Sequence, residues 1–195
     1  NLYGQLGLNN TTNYSSPKQV GALTTWLSVA CGRYYTASIK TDGTLWLWGQ
    51  NNYGQLGLGN ITYYSSPKQV GALTNWSSVS CGYNHTVSVK TDGTLWAWGY
   101  NVYGQLGQSN TTDLSSPKQV GALTNWSSVS CGNYYTVSIK TDGTLWSWGQ
   151  NNNGQLGLNN TTNYSSPKQV GALTNWSSVS CGQVQTVSIK TDGTL

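Results

Sequence analysis

The sequence contains no glutamate, methionine or phenylalanine, one histidine (His85) and one arginine (Arg33), and only 7% of its residues are charged. Acid, base and nucleophile chemistry needs titratable groups gathered in a concave site. Four of the five aspartates, Asp42, Asp92, Asp142 and Asp192, precede glycine in a turn sequence, which accounts for them and leaves only Asp113. Serine and threonine are plentiful, but none has a recurring histidine partner, and phosphate loops of the G-x-G-x-x-G or Walker type are absent. The chain is therefore read as not an enzyme and as carrying no cofactor. Its four cysteines, Cys31, Cys81, Cys131 and Cys181, never form a Cys-x-x-Cys pair, so they are read as small buried residues with free thiols and not as metal ligands. The net charge of +4 comes mostly from evenly spaced lysines, Lys18 and Lys40 with their copies, which argues against a nucleic-acid partner. No apolar run approaches the length of a membrane span, so no membrane insertion is expected, and no signal peptide is visible. The chain opens on Asn1 without an initiator methionine, so an upstream segment is expected to have been removed or never included.

Abundant instead are glycine, tyrosine and tryptophan, with 24, 13 and 10 residues, and they recur on a fixed period. "GQLG" begins at Gly4, Gly54, Gly104 and Gly154, "SSPKQVGALT" at Ser15, Ser65, Ser115 and Ser165, and "KTDGTL" at Lys40, Lys90, Lys140 and Lys190. The chain is thus a single array of 50-residue units, 1–50, 51–100, 101–150 and a truncated 151–195. Many glycines and polar residues can signal disorder, but aromatic residues on a regular period argue for packing. Within a unit, "TWLSVACG" (Thr25 to Gly32) and "YYTASIK" (Tyr34 to Lys40) alternate in polarity as half-buried strands do. "TDGT" supplies an Asp-Gly hairpin turn, and "TLWLWG" returns with Trp46 and Trp48 on one face. "NNYGQLGLGN" reads as loop, and "SPKQV" as a further extended piece in which Pro67 denies one ladder donor. Nothing shows helical periodicity. Several short strands per unit, in series, describe an all-β chain folded as blades of a β-propeller.

The run "VSCGYNHTVSVKTDGTLWAWGYNVYGQLG", Val79 to Gly107, resembles the regulator of chromosome condensation repeat family. Blades of that family carry a Gly-x-x-His-Thr stretch, an Asp-Gly turn, an aromatic-x-Trp-Gly strand and an Asn-x-x-Gly-Gln-Leu-Gly loop. The resemblance covers all four copies, although the histidine occurs only as His85 and gives way to Tyr35, Tyr135 and Gln185 elsewhere. It implies four-stranded blades and a ring of seven. About four repeats then make an incomplete ring or a fragment of a larger propeller, expected either to belong to a longer array or to self-associate through open blade edges. The family uses the aromatics of the W-x-W-G strand for packing, so Trp46 and Trp48 are read as core and not as a sugar-stacking site. Asn-x-Ser/Thr sequons such as Asn10, Asn60 and Asn75 are numerous, as an Asn- and Thr-rich chain produces by chance.

Residues 65 to 82 recur unchanged at 115 to 132 and at 165 to 182, exposed polar residues included. The differences cluster instead. After each Cys-Gly comes a changing triplet: Arg33, Tyr34 and Tyr35; Tyr83, Asn84 and His85; Asn133, Tyr134 and Tyr135; Gln183, Val184 and Gln185. Position 47, the loop around Gln50, Tyr100 and Gln150, and the loop from Asn9 to Tyr14 with its copies also vary. The triplet is expected at a strand end, on a propeller face around the axis. Its residue types make adaptable contacts. The first functional reading is a non-enzymatic binding or adhesion propeller whose triplets recognise a protein or glycan ligand on a surface, as in host attachment. Near-identical Trp-rich repeats look more like bacterial or viral surface proteins than like the nuclear exchange factor that names the family, which places the chain outside the cell or on a virion. The alternatives are a structural unit of a filament, sheath or virion joined through blade edges, and a designed or excised fragment. Recent duplication with wandering loops remains a second account of the triplets.

Overall fold

The computed structural model describes residues 1–195 and contains fourteen strands and no helix. Three four-stranded antiparallel sheets follow one another along the chain. The first is built from β1 (Trp26–Cys31), β2 (Tyr35–Lys40), β3 (Leu45–Gly49) and β4 (Tyr64–Gln69), paired in that order. The second uses β5 (Trp76–Cys81), β6 (His85–Lys90), β7 (Leu95–Gly99) and β8 (Leu114–Gln119), and the third β9 (Trp126–Cys131), β10 (Tyr135–Lys140), β11 (Leu145–Gly149) and β12 (Tyr164–Gln169). A two-stranded sheet, β13 (Trp176–Cys181) with β14 (Thr186–Lys190), ends the array. The sheets are offset from units counted from Asn1, because each takes its outer strand from the following unit.

The Asp-Gly turns form as expected. Asp92 Oδ1 accepts hydrogen bonds from the Thr94 amide (3.0 Å) and hydroxyl (2.6 Å), while Gly93 takes a φ of 76°. Those bonds hold the Asp92 carboxyl below its usual range. Trp46 and Trp48 do share a face, since both pack on Trp26, at ring-centre distances of 6.3 and 5.9 Å. Pro67 lies in an outer strand whose pairing with β3 is irregular between Leu47 and Gly49, where a missing N–H is tolerated.

Successive sheets stack face to face. Ile39 and Leu45 of the first sheet pack against Trp76 and Trp98 of the second, and the joint recurs between the second and third sheets and between the third sheet and β13. The innermost strands β1, β5, β9 and β13 neighbour one another around the axis. The G-Q-L-G loop of each unit wedges into the following sheet: the Gln55 carbonyl accepts from Thr86 Oγ1 (2.8 Å) and from Trp98 Nε1 (2.9 Å). Gln105 does the same for Thr136 and Trp148.

Candidate functional site

The Cys-Gly turn and its triplet join each innermost strand to the next strand outward, so the triplets surround the axis at one face. Their three positions meet three different environments. At the first, the backbone bonds from sheet to sheet: Arg33 N–H donates to Tyr83 O (3.4 Å), Tyr83 N–H to Asn133 O (3.0 Å) and Asn133 N–H to Gln183 O (3.3 Å). This ladder runs from sheet to sheet. Arg33, Tyr83, Asn133 and Gln183, with the Cys-Gly pairs before them, line an axial funnel of about 490 Å³.

At the second position, Tyr34 and Tyr134 are half-buried and Val184 is exposed, whereas Asn84 is buried and accepts from Gln55 Nε2 at 3.3 Å. The third position is packing. Tyr35, His85 and Tyr135 are buried between sheets, which removes them from the surface expected of them. The Tyr35 hydroxyl donates to the His85 carbonyl at 2.5 Å and accepts from Thr86 Oγ1 at 3.1 Å, and Tyr135 bonds to the Gln185 carbonyl in the same way. His85 replaces that hydroxyl with Nε2, 3.2 Å from Thr136 Oγ1, and leaves Nδ1 without a partner. Burial lowers its pKa from 6.5 to about 3, so the ring is neutral and sealed from substrate. Gln185, on the last sheet, is exposed. The preceding glycine makes room for the third residue: a Cβ on Gly82 would run into the His85 ring.

The second-position tyrosines do not stand alone. Tyr134 packs on Tyr83 (5.2 Å), Tyr100 (5.9 Å) and Tyr103 (5.4 Å), and Tyr100 on Tyr53 (4.7 Å). The Arg33 guanidinium bridges Tyr83 and Tyr34, 4.3 and 4.6 Å from the two ring centres. Tyr34 in turn meets Tyr3 (5.1 Å), which meets Tyr63 (5.5 Å). One aromatic ribbon with a single cation therefore crosses three sheets. Mutual packing pushes the Tyr100 and Tyr134 hydroxyl pKa values up, chiefly by burial. Asp113 lies at its edge, where it accepts from the Asn101 amide (2.7 Å) while burial raises its carboxyl pKa.

Five of the ribbon's eight tyrosines escaped the triplet pattern. Tyr3, Tyr53 and Tyr103 belong to the loop ahead of each G-Q-L-G, and their copy Asn153 is the signal that marks the position as variable. Tyr100 and Tyr63 fall in loops that vary between copies, opposite Gln50 and Gln150 and opposite Asn13, Asp113 and Asn163. No three of the histidine, cysteine and aspartate side chains cluster as metal ligands would. The thiols of Cys81, Cys131 and Cys181 bond instead to the neighbouring inner strand, as Cys131 Sγ does to Ser80 O at 3.6 Å, and burial raises the Cys131 pKa, whereas Cys31 on the first sheet is exposed and departs from the buried position expected of it.

A sequence model of the RCC1-like domain matches residues 1–195, the whole chain. The chain belongs to the RCC1-like domain family. Among solved structures, this RCC1-like chain is similar to Prp20p from Saccharomyces cerevisiae, described with its binding properties to Gsp1p and histones, at a TM-score of 0.82 and 20% identity over 94% of this chain and 49% of that one. It is similar to yeast RCC1 (Prp20) bound to Kap60 at 0.83 and 20%, over 94% and 47%. Human WBSCR16 matches at 0.57 and 18%, over 97% and 65%. The RCC1-like chain thus spans about half the length of the yeast chains it matches. No curated protein matches its sequence.

Proposed function

We propose that this RCC1-like chain is a non-enzymatic recognition propeller that binds a protein partner through the tyrosine ribbon. The observation that carries the reading is that Tyr34, Tyr83, Tyr134, Tyr100, Tyr103 and Arg33, all at positions that differ between otherwise copied units, form one continuous surface. Tyrosine offers large contact area at low entropy cost, and tyrosine with arginine is the pairing enriched where binding energy concentrates. The yeast relative's described binding of Gsp1p and histones supports a protein as the ligand class.

The test is binding of the purified chain to an array of recombinant ectodomains beside a glycan array, with a variant carrying Tyr34→Ser, Tyr83→Ser and Tyr134→Ser. Selective binding to one ectodomain, weakened more than about tenfold in the variant, is the expected result. Binding confined to glycans would change the ligand class, and ectodomain binding that survives the three substitutions would sink the ribbon as the site.

A further inference from the structure

Among the aspartates, Asp113 alone stands outside an Asp-Gly turn. Each of the others bonds to the threonine two residues on and feels the charge of the lysine two residues before it, as Asp92 does with Thr94 and Lys90. Asp113 accepts a hydrogen bond from the Asn101 amide at 2.7 Å, and no lysine or arginine charge acts on it. That bond needs no charge. In the next unit the neutral Asn163 accepts from the Asn151 amide at the same 2.7 Å. The negative charge of Asp113 is therefore surplus to the fold, and burial works against it by raising the carboxyl pKa. A carboxylate that the fold neither needs nor neutralises suits a site for a cation.

Its surroundings suit one as well. Tyr53 and Tyr100 pack at 4.7 Å with their planes 60° apart, and Tyr53 is 38% exposed. The amide that Asp113 engages belongs to Asn101, the residue after Tyr100. Tyr63, the copy of Asp113 one unit earlier, lies 5.5 Å from Tyr3, the copy of Tyr53, so this position faces that ring. The first and third sheets flank the cluster, so the neighbours that the repeat supplies are in place. The ribbon also shows how it holds a cation, since the Arg33 guanidinium lies over Tyr34 and Tyr83. We propose that an arginine side chain of the protein partner docks at the other end in the same manner, its guanidinium against Tyr53 and Tyr100 and paired with the Asp113 carboxylate. This rests on the ribbon being the recognition surface. Guanidinium follows from shape: a planar cation covers a tyrosine face and still directs parallel N–H groups at a carboxylate, which a compact ammonium does not.

A library of displayed random peptides, selected on the purified chain, tests this without a known partner. The peptides that bind are expected to carry an arginine whose replacement by citrulline or by lysine weakens binding more than about tenfold. The same peptides should lose as much on Asp113→Asn and on Tyr53→Ser. Asp113→Asn should leave the urea midpoint unchanged, because asparagine keeps the backbone bond as Asn163 does, so a loss of binding there reports the charge and not the fold. A selection that yields no peptide dependent on Asp113 overturns the proposal, and so does lysine serving as well as arginine. Failure of the wider reading looks different. Peptides that need Tyr34 and Tyr83 but ignore Asp113→Asn keep the ribbon and overturn the arginine pocket, whereas arginine peptides that need Asp113 and ignore Tyr34→Ser and Tyr83→Ser keep the pocket and retire the ribbon.

Discussion

The slot filled by Tyr35, His85, Tyr135 and Gln185 shows how much one atom decides between adjacent sheets. Tyrosine reaches the facing carbonyl with its hydroxyl, whereas His85 stops at Thr136 and leaves Nδ1 bare. His85→Tyr is therefore expected to raise stability by about 1 kcal/mol, read as a higher urea midpoint at neutral pH. It should also remove an acid sensitivity. The folded-state pKa of His85 lies near 3, below the unfolded 6.5, so its contribution is fully present above pH 6.5 and is lost as pH falls toward 3. The slope over that window is about 1.4 kcal/mol per pH unit. Urea midpoints of wild type and His85→Tyr, compared at neutral and mildly acidic pH, give the readout, and equal pH dependence would refute it. A neighbouring pair separates the two roles inside a triplet. Tyr135→Ser should cost about 3 kcal/mol of stability, because the ring is buried and hydrogen-bonded. Tyr134→Ser should cost less than about 1 kcal/mol and act on partner binding instead. Sequence comparison marked both residues as variable. It could not tell them apart, because variation reports that a position tolerates change and is silent on whether it faces solvent or the next sheet.

At the scale of elements, strands and turns were readable wherever a local rule was enough: Asp-Gly for the hairpins, two-residue spacing for Trp46 and Trp48, and an extended piece around Pro67. The same letters also show the limit of local rules. "YSSPKQ" is a strand at Tyr64–Gln69, where β3 pairs with it, and has no strand pairing at Tyr14–Gln19. Strand identity there belongs to the partner and not to the six residues. The wedge made by each G-Q-L-G loop was likewise invisible, since the stretch reads only as loop. Gly57 has a φ of 71°, and a Cβ on it would sit 2.7 Å from Trp98 Nε1, which donates to the Gln55 carbonyl. Gly57→Ala should therefore cost more than about 2 kcal/mol, through both backbone strain and collision. Gly71→Ala, at a φ of 59° but with open space around the Cβ, should cost only about 1 kcal/mol. Chemical denaturation of the two variants checks the difference, and equal losses would mean that the wedge does not matter.

For the whole molecule, the family resemblance carried the architecture, and the ribbon emerged only once loops about fifty residues apart were laid side by side. Stability in such an array is close to a sum of sheet and joint terms. Amide exchange should accordingly be slowest in β6 and β10, both buried along their whole length, and fastest in β14, whose outer edge has no strand beside it. Charge is also distributed by scale. Lys40, Lys90 and Lys140 cap tryptophans at strand ends remote from the triplets, for instance Lys90 Nζ at 3.7 Å from the Trp96 ring centre, and this leaves Arg33 as the only cation within the ribbon. Partner binding should therefore change by less than about threefold between low and moderate salt, and a steep loss would point to a charged surface elsewhere.

The amide ladder that links Arg33, Tyr83, Asn133 and Gln183 uses nothing that distinguishes one amino acid from another except proline. Grammar and vocabulary are thereby separated. The frame can be duplicated in whole units while the letters at this one position are rewritten one at a time without breaking the ladder. A lineage holding such a gene can change the surface around the axis at the pace of point mutation, and the number of units at the pace of unequal crossing-over.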